Sequence, residues 1–130
     1  LSALAAKSLK EVKYHLRHSN NWLIRLGDGT QVSNSKVQEA LNNLWKYTGE
    51  LFEMDEIDNE IFNLGIGVDN SKLRNKWDEI INKTLNEAKL NRPKDDYMAT
   101  GSKKGIHTEH LGFLLAEMQF LARAYPNAKW

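Results

Sequence analysis

Apolar residues recur along this chain at alternating steps of three and four, the spacing that keeps side chains on one side of an α-helix. From about Ala3 to Leu26, the positions Ala5, Leu9, Val12, Leu16, Ser19, Leu23 and Leu26 form one seam. Such a seam suits a long helix lying against antiparallel neighbours in a bundle. Gly27-Asp28-Gly29 is expected to stop it, because glycine accepts the left-handed conformation that follows a helix end. A second helix is predicted over about 35–52. Ser35-x-x-Gln38 reads as its capping box, Val37, Leu41, Leu44 and Leu51 as its inner face, and Trp45 and Phe52 as flanking positions. A third spans about 71–90, burying Leu73, Trp77, Ile80, Ile81, Thr84, Leu85 and Ala88, and ends at Asn91-Arg92-Pro93 because the residue before proline disfavours helical geometry. The last runs over about 108–124 from a Thr108 cap, with Leu111, Leu114, Leu115, Met118, Leu121, Ala122 and Tyr125 on its apolar side. No strand pattern and no repeat appears.

Between these helices the chain turns polar. Glu50 to Glu60 holds six acids and no base, which reads as a solvated connection with a single helical turn. Lys94 to Ile106, with Lys103-Lys104, reads as a loop or mobile connection. The pattern therefore predicts an all-α chain, residues 1–130 forming a single helical domain or a fragment of one. The opening at Leu1, already inside a helical pattern, is expected of a processed chain or a piece of a longer protein.

Composition narrows the chemistry. At 130 residues the chain can bury one core. Cysteine is absent, which removes disulfides, thiolate metal sites and a cysteine nucleophile. The net charge is +1, and the basic residues of the first helix (Lys7, Lys10, Lys13, Arg17, Arg25) are balanced by acids elsewhere, against a nucleic-acid partner. No run of about 18 apolar residues offers a membrane span, and no signal pattern opens the chain, so a cytoplasmic setting is expected.

The histidines fall in two i,i+3 pairs, His15/His18 and His107/His110. Helical bundles hold metals with Glu-x-x-His pairs on facing helices. No Glu-x-x-His or His-Glu-x-x-His occurs here, and no Gly-x-Ser-x-Gly elbow or dinucleotide fingerprint is present. No metal or cofactor is expected in this chain. Of the four tryptophans, Trp45 and Trp77 are expected in a core, and Trp22 and Trp130 at contacts with another protein.

Three ordered blocks carry a resemblance. Lys10-Glu-Val-Lys-Tyr-His-Leu-Arg-His18, with Trp22 and Arg25-Leu-Gly-Asp-Gly-Thr30, is similar to the non-catalytic C-subunit family of ring 1,2-phenylacetyl-CoA epoxidases. So are Leu44-Trp45-x-Tyr-Thr-Gly-Glu-Leu-Phe52 and Gly105-x-His-Thr-Glu-His-Leu-Gly-Phe-Leu-Leu-Ala-Glu-Met-Gln-Phe-Leu-x-Arg-Ala-Tyr-Pro126 with Trp130. The resemblance implies a ferritin-like helical bundle, of which this chain is the C-terminal part from the last core helix onward. It implies a non-catalytic subunit that binds and stabilises the catalytic A subunit, where a di-iron centre resides, with a reductase among the other subunits; homo-dimerisation is a further option. The related catalytic helix reads Lys-Glu-Glu-x-x-His, and its second Glu and its His bind iron. Here Val12 stands where that carboxylate would be, before His15, and a valine offers a hard cation no donor. Glu11, His15 and His18 are then expected to form a polar network in the vacated space, with Trp22, Arg25, Tyr125 and Trp130 as interface candidates. Two other readings compete: an independently active metalloenzyme using the four histidines, and a generic helical interaction domain.

Overall fold

The computed structural model describes residues 1–129, and every element of regular structure among them is helical. They form two compact units, residues 1–99 and residues 100–129. Trp130, an interface candidate from the sequence, lies outside the described residues.

The first unit opens with α1 (Ser2–Gly27), close to its predicted span. The next helix, α2 (Gln31–Leu44), starts four residues before the expected Ser35 cap. Thr30, in extended geometry, caps it instead: its hydroxyl oxygen accepts from the Ser33 N–H at 3.2 Å, and the Ser33 hydroxyl donates to the Thr30 carbonyl. The single helix expected to reach Phe52 breaks after Leu44 into two 3-10 turns, Trp45–Tyr47 and Gly49–Phe52. At the break both the N–H and the hydroxyl of Thr48 donate to the Trp45 carbonyl, tightening the turn and ending the α-helical ladder.

The acidic stretch is more structured than a connection with one turn. It forms α3 (Glu56–Asn63), started by a reciprocal capping box between Asp55 and Asp58. Glu56 and Asp58 in the first turn lie at the positive end of the helix dipole. Gly65, at φ 69°, closes it in a left-handed cap, with the Ile66 N–H reaching back to the Ile61 carbonyl. A 3-10 turn, Asn70–Leu73, then leads into α4 (Arg74–Glu87). Its end differs from the expected proline stop. Lys89 takes φ 55°, Leu90 N–H bonds to the Leu85 carbonyl, and the two leucines bury together, a hydrophobic Schellman ending three residues before Pro93.

The core of this unit is small: Trp45, Leu85, Ala88 and Leu90 are buried, with Leu23, Ile24, Val37, Leu41, Trp77, Ile81 and Met98 packed on them. The contacts follow i,i+4 ridges, Val37–Leu41–Trp45 on α2 into its 3-10 turn and Trp77–Ile81–Leu85 on α4. This corrects the expected faces. Leu44, Leu51, Leu73 and Ile80 point outward, while Trp45, set at the flank of its helix by periodicity, is buried in the core as expected of this tryptophan. Gly27 also has a different role from a left-handed stop. It lies in helical geometry against the buried Ala88, so close that a Cβ there would sit 2.3 Å from the Ala88 carbonyl oxygen. On α1 only Leu23 and Ile24 join this core; Leu9, Val12 and Leu16 of the seam stay exposed, as does Leu4.

The segment read as a loop or mobile connection, Lys94 to Ile106, is tied down in its first half: the Trp45 indole N–H and the Arg74 guanidinium donate to Asp95, and the Ala99 N–H donates to the Lys46 carbonyl. Just before it, Gln38 brackets Asn91 with two hydrogen bonds to its backbone. The second unit holds a 3-10 turn, Ser102–Lys104, between Gly101 and Gly105, both left-handed, and then α5 (His110–Ala124). This helix starts two residues later than expected and has no side-chain cap. Phe113, Met118 and Phe120 are among its exposed apolar residues.

Candidate functional site

The candidate residues from the sequence gather on α1. Glu11 and His15 lie one turn apart, and the carboxylate meets His15 Nε2 at 3.1 Å with both side chains exposed. His18 is drawn into a different set. Its ring stacks on Tyr14 at 5.8 Å and meets the edge of Trp22 at 6.4 Å. Ser19, in the seam, turns its hydroxyl back to the His15 carbonyl. Val12 stands in the exposed seam beside this pair. The structure thus brings Glu11 to His15 and places His18 in a ring ladder.

The histidines of the second unit are arranged otherwise. His110 is the first residue of α5, whereas His107 precedes the helix, so the pair does not share a helical face. Among the described residues no group of three His, Cys, Asp or Glu side chains is placed to hold a metal ion. Glu11 and His15 alone supply two donors from one helix, with an aliphatic side chain at Val12. That set does not fit a carboxylate-bridged di-iron centre, which needs donors from several facing helices.

Of the interface candidates, Trp22 is about half exposed and the Arg25 guanidinium lies 5.8 Å from its ring centre. Tyr125 is exposed at the end of α5, where its N–H bonds to the Leu121 carbonyl. An open groove between α1 and α4 is lined by Arg17, Asn20, Asn21, Ile24, Ile80, Lys83, Thr84 and Glu87.

Sequence reasoning missed the strongest electrostatic feature. Arg74 and Arg92 interlock with Asp78 and Asp95. Arg74 donates to Asp78 at 3.1 Å and to Asp95 at 2.6 Å, and Arg92 donates to Asp78 at 2.7 Å. Both guanidiniums lie over aromatic rings, Arg74 against Phe52 and Trp77, Arg92 against Trp45 and Trp77. The Trp45 indole N–H donates to Asp95 at 2.7 Å. The net charge of the four groups is zero, and they fasten residues 92–95 to α4 and the core. The signal was present as Arg74-x-x-x-Asp78 at helical spacing, but Arg92 and Asp95 lie in the loop and have no periodicity to reveal them.

Partial burial is the largest influence on Asp78 and opposes its ionisation. The hydrogen bonds and charges of Arg92 and Arg74 together outweigh it and hold the carboxyl below the ordinary aspartate value of 3.8. A carboxyl depressed in the folded state stabilises the fold fully above its unfolded pKa, and that contribution disappears as pH falls through the folded value. Stability is therefore expected to drop on acidification below about pH 4. Asp78→Asn should flatten this part of the profile, as read from urea midpoints between pH 2 and pH 6.

Comparison with known proteins adds the last observation. The chain is 52% identical over 130 residues, all of its length, to the C-subunit of 1,2-phenylacetyl-CoA epoxidase from Escherichia coli (strain K12). The match covers 52% of that relative, so the chain spans about half the length of the curated protein it resembles. No described helix is long and apolar enough to cross a membrane. The all-helical architecture agrees with the ferritin-like helical fold of the phenylacetic acid catabolic proteins. The match to that family runs over residues 1–130, and the chain belongs to it.

Proposed function

We propose that this chain is part of a non-catalytic subunit of a multicomponent di-iron oxygenase that epoxidises the aromatic ring of phenylacetyl-CoA. Its work is to bind and stabilise the catalytic subunit, which carries the iron and the substrate chemistry, while electrons come from a separate reductase. The observation that carries this reading is Val12. On the frame shared with the catalytic helix, a side chain without a donor atom fills the slot of a liganding carboxylate, and His15 remains as the remnant. Glu11 does not replace the missing ligand. It is one residue off, turned by roughly 100° about the helix axis, and bonded to His15 instead. The relative's name as an epoxidase subunit supports the pathway and the multi-subunit setting. The seam through Leu9, Val12 and Leu16 is exposed in this chain, which spans about half of its relative, and calls for a neighbouring helical element.

The test is co-expression of the full-length protein with its cognate catalytic subunit, followed by size-exclusion chromatography and a phenylacetyl-CoA turnover assay. Co-elution, with turnover that requires both proteins, is the expected result. Separate elution, with full turnover by the catalytic subunit alone, would defeat the proposal.

A further inference from the structure

One lysine stands where a glycine is the usual choice. Lys89 follows α4 in the left-handed conformation, at φ 55°, which glycine adopts at little cost and a lysine does not. Its backbone is fixed there: the N–H donates to the Asn86 carbonyl, and the carbonyl accepts from the Asn34 side chain. Its side chain reaches the end of α1, where the ammonium meets the Asp28 carboxylate at 2.5 Å. Both side chains are exposed, and an exposed ion pair returns less stability than a strained backbone costs. Stability is therefore a poor reason for a lysine at this position.

Chemistry supplies a better one. Asp28-Gly29 is the one place in the sequence where an aspartate or asparagine precedes a glycine. Glycine puts no side chain beside its own nitrogen, so that nitrogen can attack the side-chain carbon Cγ of the aspartate before it. The neutral carboxyl loses its hydroxyl, which leaves with the amide proton as water, and a five-membered succinimide forms. Water then opens the ring. Cleaving the bond to the side-chain carbonyl restores aspartate, whereas cleaving the bond to the main-chain carbonyl leaves the chain running through Cγ, as isoaspartate. No electrons are transferred, and the water released is taken up again. A slower residue cannot replace Gly29, because a Cβ there would lie 2.7 Å from the Arg25 carbonyl oxygen and 2.9 Å from the Ser33 hydroxyl. Packing thus imposes the labile pair, and the Gly29 N–H makes no hydrogen bond among the described residues that would restrain it.

Two features oppose the reaction. Asp28 lies at φ −88° and ψ 17°, which turns the Gly29 nitrogen away from the Cβ that carries the carboxyl. Closing the ring means swinging this peptide plane, and Thr30, next in the chain, is held as the cap of α2. The second feature is Lys89. The Asp28 carboxylate must leave the ammonium and take up a proton before its carbon can be attacked. We propose that Asp28–Gly29 is a latent isoaspartate site, kept unreacted by the turn between α1 and α2 and by the Lys89 ammonium.

The test ages the full-length protein at neutral pH, folded and in urea, and reads isoaspartate at position 28 by enzymatic methyl transfer and peptide mass spectrometry. Wild type should accumulate it readily in urea and slowly when folded. Lys89→Gly suits the left-handed backbone and removes the ammonium. Folded, it should age about threefold faster than wild type, the factor that loss of an exposed ion pair supplies. Lys89→Asn is a second neutral variant that tolerates this backbone and should behave the same way. Lys89→Arg keeps the charge and should age like wild type. In urea all four proteins should age alike, and the melting temperature of Lys89→Gly should be no lower than that of wild type. Wild type that forms isoaspartate as fast folded as in urea, or forms none in either, would overturn the proposal. So would neutral variants that age at the wild-type rate when folded, or faster ageing confined to variants with a lowered melting temperature.

Discussion

Trp45→Ala is expected to lower the stability of the protein by about 4 kcal/mol, the range found when a buried tryptophan or phenylalanine is truncated. Three losses combine at this position. The indole is 4% exposed and sits at the junction of α2 and α4, packed with Trp77 at 5.6 Å, so truncation leaves a cavity between them. The Arg92 guanidinium loses the ring 5.1 Å beneath it. Asp95 loses the indole N–H and keeps only its arginine contacts. Trp45→Phe separates these effects. It retains most of the ring volume and removes the hydrogen bond to a charged acceptor, and should cost about 2 kcal/mol. Urea unfolding followed by circular dichroism measures both. Equal losses for the two variants would place the stabilisation in the hydrogen bond and not in packing.

Gly27→Ala is expected to cost about 3 kcal/mol, although alanine is the better helix former. The added methyl would meet the Ala88 carbonyl oxygen at 2.3 Å and the Ala88 Cβ at 2.9 Å. The obstacle is backbone, fixed by the buried end of α4, so no rotamer change relieves it and α1 must move away from the core. Asn34, whose side-chain N–H donates to the Gly27 carbonyl at 2.7 Å and to the Lys89 carbonyl, would be displaced with it. Gly112→Ala is the control. That glycine lies within α5 with nothing within 4 Å of the added atom, so the change should be neutral or stabilising by up to about 1 kcal/mol. A Gly27→Ala variant as stable as wild type would mean that α1 and α4 do not approach as closely as described.

These two positions show how far the sequence could be read. The helical class was legible because apolar spacing of three and four persists over long stretches. The extent of α1 was legible for the same reason, and the resemblance pointed to the family. Trp45 was rightly expected in a core, but periodicity alone assigned Leu44 to the inner face of its helix and left Trp45 at the flank. The change to 3-10 winding after Leu44 and the i,i+4 ridge through Val37 and Leu41 select Trp45 instead. Gly27 was correctly taken as the end of α1, but for backbone freedom, whereas close approach to Ala88 requires it. The acidic segment was read from charge, and its cap was overlooked because the box uses Asp55 and Asp58 where serine with glutamate is the usual signal. The Arg74–Asp78–Arg92–Asp95 lattice joins a helix to a loop, and only the fold brings its halves together.

The candidate site was legible in part. The sequence placed Glu11, His15 and His18 together because helical spacing allows it. The structure divides them: Glu11 meets His15, whereas His18 stacks on Tyr14 and meets Trp22 edge-on.

The central claim is that a valine in the carboxylate slot leaves the metal chemistry to a partner. The direct measurement is the iron content of each subunit, after the full-length protein and its cognate catalytic subunit are purified as a complex and then separated. The account predicts that iron stays with the catalytic subunit, and that His15→Ala in this protein changes neither that iron nor turnover by more than about twofold, since an exposed Glu–His pair contributes little. Stoichiometric iron retained by this protein and lost on His15→Ala would contradict it.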